Sequence, residues 1–192
     1  MLKRIIPNEG MILLAVMWGV FIIDSVLPGI TFNHFGIVPR KLEGLAGILL
    51  SPFLHSGLYH IASNSIPLLF LPAFVRLSVG SRDIVFVLIV GIVGSGFGTW
   101  LFSSGDLVIG ASGLVFSLIG FLLANTYFSP SLRSWPVALL SFFLYGGTLL
   151  SLFVFLPFVS WAAHFWGLVS GIAIALFLRN PRPKKVALRN YR

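Results

Sequence analysis

Six apolar runs limit this chain more than any motif does. They lie at about 11–27, 58–77, 83–102, 112–128, 136–155 and 161–178, and carry almost no charge. At ~1.5 Å per helical residue, a run of about twenty residues matches the ~30 Å hydrocarbon core of a bilayer. None alternates with period two, so they are not barrel strands, whereas a helix satisfies its backbone polar groups within itself. With 57% hydrophobic and 9% charged residues and a mean hydropathy of +1.01, the chain has more apolar surface than a soluble core of 192 residues can hide. The expected fold is an all-α membrane protein, one domain over residues 1–192 with six transmembrane helices and a basic tail at 179–192.

The connections add orientation. Lys3 and Arg4 precede the first run and no small-residue cleavage site follows it, so it reads as a span and not as a signal peptide. The connection from 28 to 57 mixes Gly, Pro and apolar residues with Arg40, Lys41 and Glu43. That mixture predicts a partly membrane-embedded outer loop, with a short helix near 42–50. Pro67 and Pro72 are expected to kink the second span, Ser81 and Asp83 to cap the third, and Gly91, Gly94, Ser95 and Gly98 to form a smooth packing face. Trp100, Trp135 and Trp161 fall near span ends, where interfacial aromatics belong. Lys3, Arg4, Arg76, Arg82, Arg133 and the tail charges lie on one side of a six-span arrangement, against Arg40 and Lys41 on the other. The positive-inside rule then puts both termini in the cytoplasm, with the compact plan favouring a prokaryotic plasma membrane. The tail reads as a lipid-headgroup feature, not as a nucleic-acid site. With no cysteine there is no disulfide, thiol nucleophile or thiolate metal site.

Chemistry concentrates at Val108-Ile109-Gly110-Ala111-Ser112-Gly113-Leu114. Gly110, Ala111 and Gly113 leave Ser112 almost free of side-chain bulk, so the backbone can turn sharply and another helix can come close. Alone, such a tetrapeptide usually means helix packing. In the six-span topology, however, His60 and Asn64 of the second span, Ser112 of the fourth and His164 of the sixth all share one outer depth. His60 and Asn64 are four apart, hence on one face. Gly167 and Gly171 behind His164, with Gly113, Ser117 and Gly120 opposite, allow close approach. Each residue alone has an ordinary structural explanation, but four at matched depth point to acyl transfer. Ser112 would be the nucleophile and His164 its base, with the Ser112 N–H, the Asn64 amide and a His60 N–H facing the oxyanion. Asp24 and Asp106 are the nearest carboxylates, and nothing aims them at His164, so a Ser–His dyad is expected. Ser56, Ser63, Ser103, Ser104 and His55 could line a wet cavity, and Pro157-Phe158-Val159-Ser160 could be a movable cap.

The joint pattern of Gly110-Ala111-Ser112-Gly113, His60-x-x-x-Asn64 and His164-x-x-Gly167-x-x-x-Gly171 over six spans resembles the rhomboid intramembrane serine proteases. The resemblance implies the same roles for Ser112, His164, His60 and Asn64. It also implies cleavage of transmembrane protein substrates at small residues near helix-breaking segments, with entry beside the fifth helix. Two departures stand out. Pro39-Arg40 replaces a frequent Trp-Arg, and Phe116 stands where many bacterial members have a tyrosine stacked on the histidine. The runner-up is a non-catalytic relative that binds transmembrane helices. A metalloprotease lacks H-E-x-x-H, and His55 and His60 would diverge by ~140° on one helix. A transporter would call for paired mid-membrane charges. The reading needs no cofactor and no metal, and its partners are membrane lipid and transmembrane substrates.

Overall fold

The structure is a computed structural model that describes residues 7–27, 29, 31–104, 107–130, 134–153 and 159–179. Helices lie over the apolar runs. They are α1 (Asn8–Val26), the one-turn α2 (Gly47–Leu50), α3 (Leu58–Val79), α4 (Ile84–Phe102), α5 (Ser112–Phe128), α6 (Ser134–Leu149) and α7 (Trp161–Phe177). Short 3₁₀ turns stand at Asn33–Phe35, Leu42–Gly44, Ser51–Phe53 and Leu150–Leu152. Among the described residues there is no strand, only a β-bridge between Ile37 and Val108. By length and composition α1, α3 and α4 are long enough to cross a membrane, and α5, α6 and α7 are shorter apolar helices.

The bundle is built round α5. Leu114 through Leu122 are buried without a break, as for a helix that is apolar on every side. Glycine sets how closely its neighbours approach. A Cβ at Gly167 would strike the Gly113 carbonyl, and one at Gly171 would overlap the Ser117 carbonyl, so α5 and α7 meet backbone to backbone. The expected small-residue face of α4 serves both helices: Gly91 packs on Ser117, Gly94 on Ser170 and Gly98 on Trp166. By contrast, α1 packs mainly on α3 and the Ser51–Phe53 turn, with Gly10 against Pro72.

Pro67 and Pro72 are buried inside α3, which continues through both. One local expectation needs adjustment. Asp83 stands at the N-cap of α4 and its carbonyl accepts from Val87 N–H, but its carboxylate makes no cap bond. The far end of α3 stops at Gly80, whose φ of +85° suits glycine and whose N–H returns to the Arg76 carbonyl.

The 28–57 connection is tied to the end of the bundle where α5 begins. Ile37 and Val108 exchange two backbone hydrogen bonds of 2.9 Å, and Gly110 N–H donates to the Ser51 carbonyl at 2.8 Å. Arg40, at φ +58°, donates its N–H to the Trp100 carbonyl, and its guanidinium donates to the Ser103 carbonyl at 2.5 Å. These carbonyls belong to the last turn of α4 and the residue that follows it, where a cation is favoured. Trp100 Nε1 donates back to the Lys41 carbonyl at 2.9 Å. Asp24 accepts from Phe32 N–H and so stabilises the start of the loop instead of facing His164.

Candidate active site

Ser112 is the first residue of α5 and is half-buried. The first backbone bond of the helix runs from Val115 N–H to the Ala111 carbonyl at 3.0 Å. The N–H groups of Ser112, Gly113 and Leu114 are therefore without intrahelical acceptors, at the positive end of the helix dipole. Gly110 makes the turn into this end at φ +110°, a conformation costly for any other residue. A Cβ there would lie 2.5 Å from His60 Nε2 and 3.7 Å from Asn64 Nδ2, so both α3 side chains flank the turn before the serine. His60 Nδ1 pairs with Ser56 Oγ at 3.3 Å. Asn64 is buried, and its Nδ2 faces the His60 carbonyl at 3.1 Å and His55 Nε2 at 3.2 Å. Both amide hydrogens are thus committed.

On the other side, Phe116 lies one turn beyond Ser112 and is fully buried. Its ring stacks flat on His164, with centroids 4.1 Å apart and planes at 11°. Gly113 and Gly167 make that contact possible by letting α7 lie on the first turn of α5. His164 is 5% exposed, and its Nδ1 is 2.8 Å from Ser151 Oγ. The start of α7 is capped by Ser160 Oγ, which accepts from Ala163 N–H. The first turn of α5 is thus bracketed by His60 and Asn64 on one side and the Phe116–His164 stack on the other. A hydroxyl, unpaired backbone N–H groups and two imidazoles in one place are the equipment of nucleophilic catalysis.

The Rhomboid domain family model matches residues 43–181, from the outer loop through α7, and every one of these side chains lies within it. The chain belongs to the rhomboid family. This rhomboid is similar to the "Uncharacterized protein Rv1337" of Mycobacterium tuberculosis, at 37% identity over 91% of this chain and 76% of that protein. It is also similar to the "Uncharacterized protein ML1171" of Mycobacterium leprae, at 35% identity over 92% of this chain and 72% of that protein. The family is one of intramembrane proteases, generally of the serine type, and it places this rhomboid in a membrane.

The rhomboid's departures can now be located. The loop that lacks Trp-Arg is still anchored, because Arg40 reaches the end of α4 and Trp100 of α4 reaches back to it. Phe116 supplies the aromatic face on His164 without a hydroxyl. Asp106 and, of the expected cap, Pro157 and Phe158 lie outside the described residues.

His55 was underestimated by the sequence. The divergence from His60 assumed one helix through both, but α3 begins at Leu58, and the turn at Ser56-Gly57 brings His55 back over it. The two rings pack edge to face at 4.8 Å. His55 is 3% exposed, so it is part of the support for Asn64 and not the lining of a wet cavity. Burial, and then the neighbouring His60, lowers its pKa from 6.5 to about 4. The Phe53 backbone opposes this shift. Between those values the unfolded chain binds the proton that the folded chain refuses. The stabilisation from neutral His55 is therefore complete above about pH 6.5 and declines as the pH falls toward 4. In thermal unfolding, the midpoint should drop between pH 7 and pH 4.5, and His55→Asn should flatten that slope. An unchanged slope in the variant would contradict this account.

Proposed function

We propose that this protein is an intramembrane serine endopeptidase that cleaves transmembrane protein substrates through an acyl-enzyme formed on Ser112. The observation that carries the reading is the flat stack of Phe116 on His164 at the N-terminal turn of α5, where Ser112 is the first residue. His164 Nε2 takes the Ser112 proton as Oγ attacks the scissile carbonyl, then delivers it to the leaving amine, and water repeats the cycle on the ester. The Ser112 N–H at the positive end of α5 faces the developing oxyanion. With the Ser56 hydroxyl donating to Nδ1, His60 keeps its hydrogen on Nε2 beside the Gly110 turn, as a second donor. Asn64 joins as a third when it releases His55 or the His60 carbonyl.

In this reading α1, α3, α4, α5, α6 and α7 all cross the membrane, with both termini cytoplasmic and the active end at the outer face of a cell membrane. The 17 residues of α5 span roughly 25 Å, less than the ~30 Å hydrocarbon core, which sets Ser112 below the outer surface. Substrate helices enter beside α6, whose Leu140, Phe143 and Leu144 face outward.

The test needs no knowledge of the substrate. Wild type and Ser112→Ala are reconstituted in lipid and exposed to a fluorophosphonate probe. Labelling of the wild type that vanishes in Ser112→Ala is the expected result. A folded wild type that does not label would replace the protease with a non-catalytic helix binder.

A further inference from the structure

We propose that Ser151 positions the base, completing a Ser112–His164–Ser151 relay in which the third member is a neutral hydroxyl. The inference rests on the dyad proposed above. For His164 Nε2 to accept a proton, Nδ1 must carry the ring's hydrogen, and a buried N–H needs an acceptor. Serine hydrolases commonly use a carboxylate there. Among the described residues none is in place: Asp24 is bound to Phe32 N–H, Glu43 is exposed beside Lys41, and Glu9 in the first turn of α1 and Asp83 just before α4 stand at the far end of the bundle. Ser151 Oγ, 2.8 Å from Nδ1, occupies the position instead.

A hydroxyl suits the site. It fixes the ring's tautomer and direction without burying a second ionisable group in a bilayer, which is costly. When His164 becomes imidazolium in the transition state, Nδ1–H···Oγ becomes a charge-assisted bond and strengthens at the moment it counts. Phe116 fixes the plane of the ring from one side, and Ser151 fixes its rotation within that plane.

The residue's carrier matters as much as its chemistry. Ser151 stands in the Leu150–Leu152 turn that continues α6, whereas His164 stands on α7. The same turn is held to α7 by Trp161 Nε1, which donates to the Leu152 carbonyl at 2.7 Å. The base is therefore held in its productive direction only while the end of α6 is docked on α7. Ser151 is a positioning residue, acting on the bond being broken only through His164.

The test uses the full chain in lipid and the fluorophosphonate probe, measuring the inactivation rate at saturation and the half-saturating concentration separately. Ser151→Ala should lower the saturated rate roughly 10- to 100-fold, with half-saturation unchanged within about twofold. Ser151→Thr, which keeps the hydroxyl, should recover most of it. If Ser151→Ala aggregates on size exclusion, Ser151→Cys, of similar volume but a weak acceptor, takes its place. A Ser151→Ala rate within about twofold of wild type overturns the proposal, and so does Ser151→Thr as slow as Ser151→Ala. Wild type that labels beside an unimpaired Ser151→Ala overturns this inference alone. Wild type that does not label overturns the dyad reading and this inference with it.

Discussion

His164→Ala will leave a folded protein whose cleavage of a reconstituted transmembrane substrate is lower by about 10³-fold or more. The loss is large because in the proposed mechanism one ring does two jobs, taking the proton from Ser112 and returning it to the leaving amine. The fold should tolerate it, since the main α5–α7 contacts are made by Gly113, Gly120, Gly167 and Gly171, and not by the imidazole. Ser112→Ala should be as inactive, and the double variant no worse than either single one, because residues acting as a unit are not additive. Gel-based cleavage assays on protein checked by size exclusion would read all three. His164→Ala with activity within tenfold of wild type would remove the base assigned here.

The second large effect is on the fold. Gly171→Ala should unfold the protein or lower its thermal midpoint severely. The added Cβ would overlap the Ser117 carbonyl, with Phe121 N at 2.6 Å, and neither atom is the end of a flexible side chain. Separating α5 from α7 to make room would also loosen Gly167 on Gly113, so the cost should exceed the ~1–3 kcal/mol typical of an overpacked core. Gly19→Ala is the control: nothing lies within 4 Å of a Cβ there, and alanine is the better helix former by ~1 kcal/mol. Equal midpoints for the two variants would mean that the α5–α7 contact is looser than described.

The helical membrane architecture was legible because it follows from period and length. α5 and α7 start at Ser112 and Trp161, where glycine-rich and aromatic boundaries stand in the sequence. The glycines of α4, α5 and α7 were legible for the same reason, since helical spacing assigns them to faces. What escaped notice lies across connections. His55 is three residues before α3 and reaches Asn64 only through the turn at Ser56-Gly57. Ser151 is thirteen residues from His164, on a turn whose direction no periodicity encodes. Arg40 was visible as a charge, but its carbonyl acceptors, 61 and 63 residues away, belong to the packing of the loop on α4.

The unequal attachment of α1 and α5 has a consequence for how the protein is made. α1 meets its partner α3 only after roughly sixty more residues have been synthesised, on the order of 3–12 s at ~5–20 residues per second. It can wait in lipid, being apolar and mostly unburied. α5 cannot wait as comfortably: its backbone at Gly113, Ser117 and Gly120 is covered by Gly167, Gly171 and Leu168, which emerge only with α7. The proposed nucleophile and base are thereby divided between segments born seconds apart. In the proposed mechanism, the nascent chain has no means of cutting the membrane proteins around it until α7 has been inserted and has closed on α5.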